Sequence, residues 1–233
     1  MFDIQHHERI GSTNDEARRL AVSGAAHGTV VHADEQAAGR GRFGRTWFSP
    51  PGNLYVSVLL RLDLPSSRSA ELSFLAALTV ADTVDALLPK HVRASLKWPN
   101  DVLVEGGKIA GILLEQVEDA RVIGIGLNVL HAPRGTPYKT TTLVGTGGLA
   151  TVDGALDILL ERLAIHLEEW RRLGFEAIRT AWLARAHPLG ALLRVNIDGQ
   201  LEEGTFAGLE ADGTLLLDTP TGRRRIVSGD VSV

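Results

Sequence analysis

Apolar and polar positions along this chain alternate in two rhythms, and the switches between them mark out its elements. Ala17, Leu20 and Ala21 share one face of a short helix that opens at Ser12-Thr13-Asn14-Asp15-Glu16 and ends at Gly24. Thr13 and Glu16 have the spacing of a capping box, and that first turn carries side-chain oxygens suited to a ligand. Residues 29–33 read as a short strand, and residues 54–60 are rich enough in Val and Leu for a buried one. Leu72, Leu75, Ala76, Leu78 and Val84 recur at helical spacing and Pro89 stops them, which predicts a long, largely buried helix over 66–88. Four short apolar stretches follow at 92–97, 102–104, 109–116 and 122–129. Turns at Pro99-Asn100, Gly106-Gly107 and Glu118-Asp119 separate them, the pattern of an antiparallel meander. Residues 133–148 form a Gly-, Thr- and Pro-rich connection that could order over a ligand. Two amphipathic helices are predicted at 152–173 and 175–186, with Trp170 and Trp182 on their core faces. From Leu189 onward, Asp198-Gly199, Asp212-Gly213 and Thr221-Gly222 punctuate short β-rich runs, as in a small all-β barrel. The change of texture places a domain boundary near Pro188, between residues 1–187 and 188–233.

Composition narrows the function. The 233 residues carry a net charge of -4 and a pI near 6.1, the opposite of the balance expected where gripping DNA or RNA is the main task. At 44% hydrophobic and 22% charged, the chain is globular and long enough for a substantial core. Having no cysteine excludes a disulfide framework, thiolate zinc sites and a cysteine nucleophile together. The eight histidines are scattered and His6-His7 is not a metal spacing by itself, so no metal site is expected. The amino terminus has no basic segment followed by an apolar run, and no stretch approaches transmembrane length, so the chain reads as cytoplasmic with no membrane partner.

Against this acidic background, Gly39-Arg40-Gly41-Arg42-Phe43-Gly44-Arg45-Thr46-Trp47 is a basic island between two strands. Three guanidinium groups stand close together with no acid to neutralise them, each a planar fork matched to phosphate or carboxylate oxygens. The glycines let backbone approach a ligand closely. Taken alone, the segment is equally a solvated basic loop or an RGG-like nucleic-acid element. Lys97-Trp98-Pro99-Asn100-Asp101 crowds a cation, an aromatic, an amide and a carboxylate around a stiffened turn, and Lys108 stands at the mouth of an otherwise apolar hairpin strand. Either one alone is more simply a surface turn with a solvated lysine. Gly124-x-Gly126 lies inside a predicted strand with no helix after it, so it marks a close approach rather than a dinucleotide loop.

The arginine segment, the Lys97 segment and Lys108-Ile109-Ala110-Gly111-Ile112-Leu113 closely resemble, in order and spacing, the three signature segments of biotin protein ligases. The likeness extends to Ser12-Thr13-Asn14, to Gly124-Ile125-Gly126-Leu127-Asn128 and to the small terminal barrel, and so covers nearly the whole chain. It implies an α+β catalytic domain with helices packed on a mixed sheet, the class II synthetase-like fold of biotin and lipoate ligases, joined to a C-terminal SH3-like β-barrel. It also implies a two-step reaction. The biotin carboxylate attacks the α-phosphate of ATP to give biotinyl-5'-AMP, and a lysine of a biotin carboxyl carrier domain then attacks that mixed anhydride.

By the same resemblance, Arg40 and Arg42 hold the biotin carboxylate and phosphates, Arg45 assists with the triphosphate, and Lys108 bridges carboxylate and α-phosphate. Ser12, Thr13, Asn14 and Gln36 fall with the biotin-binding positions, where hydroxyl and amide groups suit the donors and acceptor of a ureido ring. Gly39, Gly41, Gly111 and Leu113 complete that pocket. Trp47 and Asn128 match positions that contact adenine, Asn100 sits by the phosphates, and Asp101 orients the acceptor lysine. Magnesium is expected with the pyrophosphate. Phe43 departs from the pattern, standing where some relatives carry arginine, and either loosens the loop's hold or adds apolar cover. The chain starts almost directly at the ligase domain, so no repressor role and no DNA partner are expected. A lipoate or octanoate ligase is the rival within the fold, and a nucleic-acid module using the arginine loop is the rival outside it. Monomer and homodimer both stay open.

Overall fold

The computed structural model describes residues 2–197 and 199–232. Its larger sheet has seven strands in the order β1-β2-β3-β7-β6-β5-β4. These are β1 (Asp3–Ile10), β2 (Thr29–Gln36), β3 (Leu54–Arg61), β4 (Ala94–Lys97), β5 (Asp101–Val104), β6 (Gly107–Val117) and β7 (Ala120–Leu127). Only β1 and β2 are parallel, and they are joined, as a parallel pair must be, by a crossover helix, α1 (Thr13–Val22). The remaining pairs are antiparallel hairpins or sheet neighbours, so the sheet is mixed. The predicted meander is present as β4 to β7.

Both faces of the sheet are covered, which is why β3 and β7 read as nearly continuous apolar runs. On one face, small residues let α1 approach closely: Ala17 packs on Val31 and Val122, and Ala21 on Leu59 and Ala120. On the other face lie α2 (Glu71–Leu87), α3 (Val152–Leu173) and α4 (Phe175–Leu183). Helix α2 is buried nearly all round because it is sandwiched between the sheet and α3 and α4. It starts later than the apolar spacing predicts, after a 3-10 turn at Ser66–Arg68, where Glu71 takes a hydrogen bond from the Trp170 indole at 2.7 Å. Trp170 and Trp182 are core residues, as expected.

One local expectation fails, and one strand carries no signal in the sequence. The capping box at α1 is not made: Ser12 is the N-cap without a side-chain bond, the Thr13 hydroxyl is turned toward Gln36, and Glu16 pairs with Arg19. Strand β1 has no counterpart in the apolar pattern because, as an edge strand, it buries little of Asp3–Ile10.

A second, all-antiparallel sheet has the order β11-β10-β9-β8-β12, from β8 (Leu192–Ile197), β9 (Gln200–Leu209), β10 (Leu215–Thr219), β11 (Gly222–Ile226) and β12 (Asp230–Ser232). Its expected first turn falls partly outside the described residues, at Asp198. It docks on helix α2 through Gly213, whose φ of +87° and missing side chain leave room for the Phe74 ring. The Gly213 carbonyl accepts from the Trp98 indole at 3.2 Å, and one continuous hydrophobic cluster runs from Val58 through Trp182 to Phe206.

Candidate active site

A cavity of about 730 Å³ opens on the α1 face of the larger sheet, a size suited to a small organic ligand. Its floor is made by glycines. In β6 and β7 side chains alternate: Ala110, Ile112, Ile123 and Ile125 belong to the core, Ile112 and Ile125 also touching the cavity, while Gly111, Leu113, Gly124 and Gly126 line the cavity alone. Gly111 and Gly126 are cross-strand partners, and the Trp47 ring lies directly on them, so a Cβ at Gly126 would overlap the indole. A Cβ at Gly124 would overlap the Asn14 amide. The repeated glycines of this strand therefore bring two other side chains down onto the sheet.

Above Gly124 a polar cluster replaces the core. Ser57, the one serine in a largely apolar strand, donates to Asn14 Oδ1 at 2.6 Å and lies 2.8 Å from Thr13 Oγ1. Thr13 in turn donates its backbone amide to Gln36 Oε1 at 2.8 Å, and Gln36 Nε2 donates to Ser49 at 2.9 Å. Asn14 Nδ2 donates to Glu115 Oε2 at 2.8 Å. These buried groups are almost fully satisfied by one another, which fixes their orientation before any ligand arrives.

The arginines are not without acids, contrary to the local reading. Arg40 meets Asp15 at 2.5 Å and Glu115 at 3.3 Å, Arg45 meets both oxygens of Asp230 at 2.8 and 2.9 Å, and Arg42 lies 3.6 Å from Asp230. All three acids are remote in sequence, so only the fold could bring them. Arg42 also donates to the Gly229 carbonyl at 3.1 Å. Burial draws its guanidinium below the ordinary value, with the Asp230 charge opposing, and it remains a cation at neutral pH. Phe43, at φ 55° and 64% exposed, stands between Arg42 and Arg45, whose guanidinium carbons lie 4.7 and 5.6 Å from its ring centre. It stacks with its two neighbours and leaves much of its ring in solvent.

Next to Arg42, which lies 3.5 Å from Asn100, Asp101 joins two lysines, 2.9 Å from Lys97 and 2.6 Å from Lys108. Burial works to raise its carboxyl, but the charges of Lys108 and Lys97 outweigh it and hold the group below the ordinary range, so Asp101 is ionised. Asn100 donates to the Ile112 carbonyl at 2.7 Å, tying the turn to β6. The Lys108 ammonium stands 5.4 Å from the Trp47 ring centre and 5.6 Å from that of Tyr138. Residues 139–141, in the long polar connection, bracket the Lys108 backbone with hydrogen bonds of 2.9 and 3.0 Å.

Residues 7–129 match the Biotin/lipoate A/B protein ligase family, and residues 194–233 match the biotin protein ligase C-terminal domain. A biotin--[acetyl-CoA-carboxylase] ligase from Paracoccus denitrificans is 38% identical over 236 residues, spanning 96% of this chain and 97% of that one. The chain belongs to the biotin protein ligase family. A second relative of this family, the biotin--[acetyl-CoA-carboxylase] ligase of Mycobacterium tuberculosis, is 37% identical over 96% of this chain and 86% of its own. The structure of an Aquifex aeolicus biotin protein ligase in complex with biotin and ATP superimposes with a TM-score of 0.85 at 28% identity, covering 100% of this chain and 98% of that one. The α+β architecture with its SH3-like C-terminal sheet is that of the ligase family.

Within this ligase, Ser12, Thr13, Asn14, Gln36, Arg40, Gly41, Arg42, Arg45, Trp47, Asn100, Asp101, Lys108, Gly111 and Leu113 all line the one cavity. Two expected site residues do not. Gly39 lies behind it, where a Cβ would overlap Ser49 and crowd the Trp47 carbonyl at 2.6 Å. Asn128 is 1% exposed and donates to the Thr141 carbonyl at 3.1 Å, while its Oδ1 is buried without a partner. Sequence reasoning passed over Asp15, Glu115 and Asp230, which carry no local motif, and gave no role to Lys97, although its segment was quoted.

Proposed function

We propose that this cavity activates biotin with ATP as biotinyl-5'-AMP and passes the biotinyl group to a lysine of a biotin carboxyl carrier domain of a biotin-dependent carboxylase. The observation that carries the reading is the convergence of five cations, Arg40, Arg42, Arg45, Lys97 and Lys108, on one cavity with a glycine floor. A carboxylate and a triphosphate repel each other in water, and fixed cations between them offset that repulsion most as charge builds on the α-phosphate. In the first step a biotin carboxylate oxygen bonds to the α-phosphorus and pyrophosphate leaves. Lys108 suits the bridging position between the two anions, with Arg42 and Arg45 on the phosphate side and Arg40 on the carboxylate side. Thr13, Asn14, Gln36 and Ser12 suit the ureido ring, with Gly111 and Leu113 under the apolar part. Trp47 suits adenine stacking, and Asn128, tied to the Thr141 carbonyl, supports the long connection from behind the cavity.

In the second step the acceptor amine bonds to the acyl carbon, AMP leaves, and the amine sheds its proton. Asp101, ionised and held low by two lysines, suits alignment of the incoming ammonium better than removal of its proton. Both carboxylates lining the cavity, Asp101 and Asp230, are committed to cations, so the donor set does not fit a protein-held magnesium. The ion belongs to the proposal only as a companion of the nucleotide phosphates. No helix among the described residues is long and apolar enough to cross a membrane, and an ATP-driven role suits the cytoplasm.

The test offers the protein ATP, magnesium and a carrier domain with labelled biotin, lipoate or octanoate in parallel. Transfer of biotin alone is expected, and Lys108→Ala is expected to lose adenylate formation by roughly 10²–10³-fold while retaining part of its biotin binding. Transfer of lipoate instead would move the substrate, and full activity of Lys108→Ala would remove that residue from the mechanism.

A further inference from the structure

The reaction leaves one cluster of donor groups unused. The parallel register of β1 and β2 sets His6 directly beside His32, and Asp34 follows two residues later on the same face. One nitrogen of each imidazole and one carboxylate oxygen of Asp34 all lie within 4.8 Å of one another, the one such grouping of three donors among the described residues. The two imidazoles are tilted against each other with ring centres 5.3 Å apart, and His6 Nε2 lies 2.9 Å from Asp34 Oδ1. His32 is 97% buried by difference from its 3% exposure, and its Nε2 has no hydrogen-bond partner. It shares its sheet face with Val30 and its β3 partner Val56, both in the main core. A buried imidazole with an idle nitrogen among aliphatic side chains costs stability unless something takes that lone pair or proton.

We propose that His6, His32 and Asp34 form a binding site for a divalent first-row transition ion such as zinc, pinning the edge strand β1 to β2. Two imidazoles and one carboxylate are a borderline donor set that suits zinc rather than the oxygen-only shells of magnesium or calcium. Bonds of about 2.0–2.2 Å to such an ion place neighbouring donors roughly 3.3–3.5 Å apart. The present separations reach that with small rotations, and His6 and Asp34, with side chains 51% and 47% exposed, are free to make them. Buried His32 supplies the fixed ligand, the two exposed residues close over the ion, and the fourth position faces water. Asp153, in the first turn of α3, adds a further negative charge acting on His32. The sequence suggested no such site because His6 and His32 meet only through strand pairing.

The test uses the full chain stripped with a chelator and then titrated with zinc chloride by calorimetry, with cobalt(II) absorption as a second readout of coordination. One saturable equivalent and a zinc-dependent rise in Tm are expected. His6→Ala and Asp34→Asn, both at exposed side chains that tolerate change, are expected to weaken zinc binding at least tenfold and to abolish the Tm rise. His27→Ala, at an exposed histidine outside the cluster, is expected to keep both. Biotin transfer by His6→Ala is expected to match wild type, since His6 is not part of the cavity. Absence of saturable binding, or equal binding by His6→Ala and Asp34→Asn, would overturn the site whatever becomes of the ligase reading.

Discussion

Asp101 is the residue on which the charges of the cavity balance. Lys97 and Lys108 would repel each other at the same wall without it, and it would not remain ionised at 7% exposure without them. Its native carboxyl titrates below the ordinary 3.8, so the stability it contributes is complete above that pH and is lost as pH falls through the lower native value. Asp101→Asn is therefore expected to cost about 1–3 kcal/mol at neutral pH, where two ammonium groups lose their counter-charge. The difference from wild type should shrink below pH 3.8, where wild type loses the same charge. Thermal melts across that range check it, and a gap that does not change with pH would show that the charge is not what matters.

Between Gly41 and Thr46 the arginine segment is a loop with almost no apolar anchorage, while Trp47 at its end is packed on Gly111 and Gly126. Phe43 and Arg45 are exposed, and the loop's outer ties are Arg45 to Asp230 and Arg42 to the Gly229 carbonyl. Side chains that are 54% and 40% exposed make an ion pair worth at most about 1 kcal/mol, so these ties hold the loop only weakly. An anion in the cavity adds charge-assisted hydrogen bonds that the empty loop lacks. Limited proteolysis at residues 40–43 and 135–148 should therefore slow markedly when biotin and ATP are added together. Equal cleavage with and without them would show that the loops are not closed by ligand.

At the scale of the whole molecule, the second sheet is part of the cavity. Asp230, Val231 and Ser232 of β12 and Asn196 of β8 line it, and the Val231 carbonyl accepts from Lys97 at 2.8 Å. The position of that wall depends on Gly213, where the left-handed backbone and the Phe74 ring 2.5 Å from any Cβ both exclude a side chain. Gly213→Ala is expected to cost about 2–3 kcal/mol, a fall of about 5–10 °C in Tm, and to reduce biotin transfer even at temperatures where the protein stays folded. Loss of stability with unchanged transfer would mean that the wall can move without consequence.

What the sequence by itself determined was the part written in near neighbours. The meander, the long helices and the three motif segments depend on spacings within one element, and the resemblance they carried led to the family and its fold. Gly124-x-Gly126 was legible as a close approach, though not that Asn14 and Trp47 are what approach it. The tertiary structure alone decided which acids meet the arginines, because Asp15, Glu115 and Asp230 lie on a helix and two strands whose packing sets their positions. It also decided that Thr13 serves Gln36 instead of a capping box, and that His32 finds His6 beside it. Periodicity reports which face of an element is buried; it carries no information on which distant side chain shares that face.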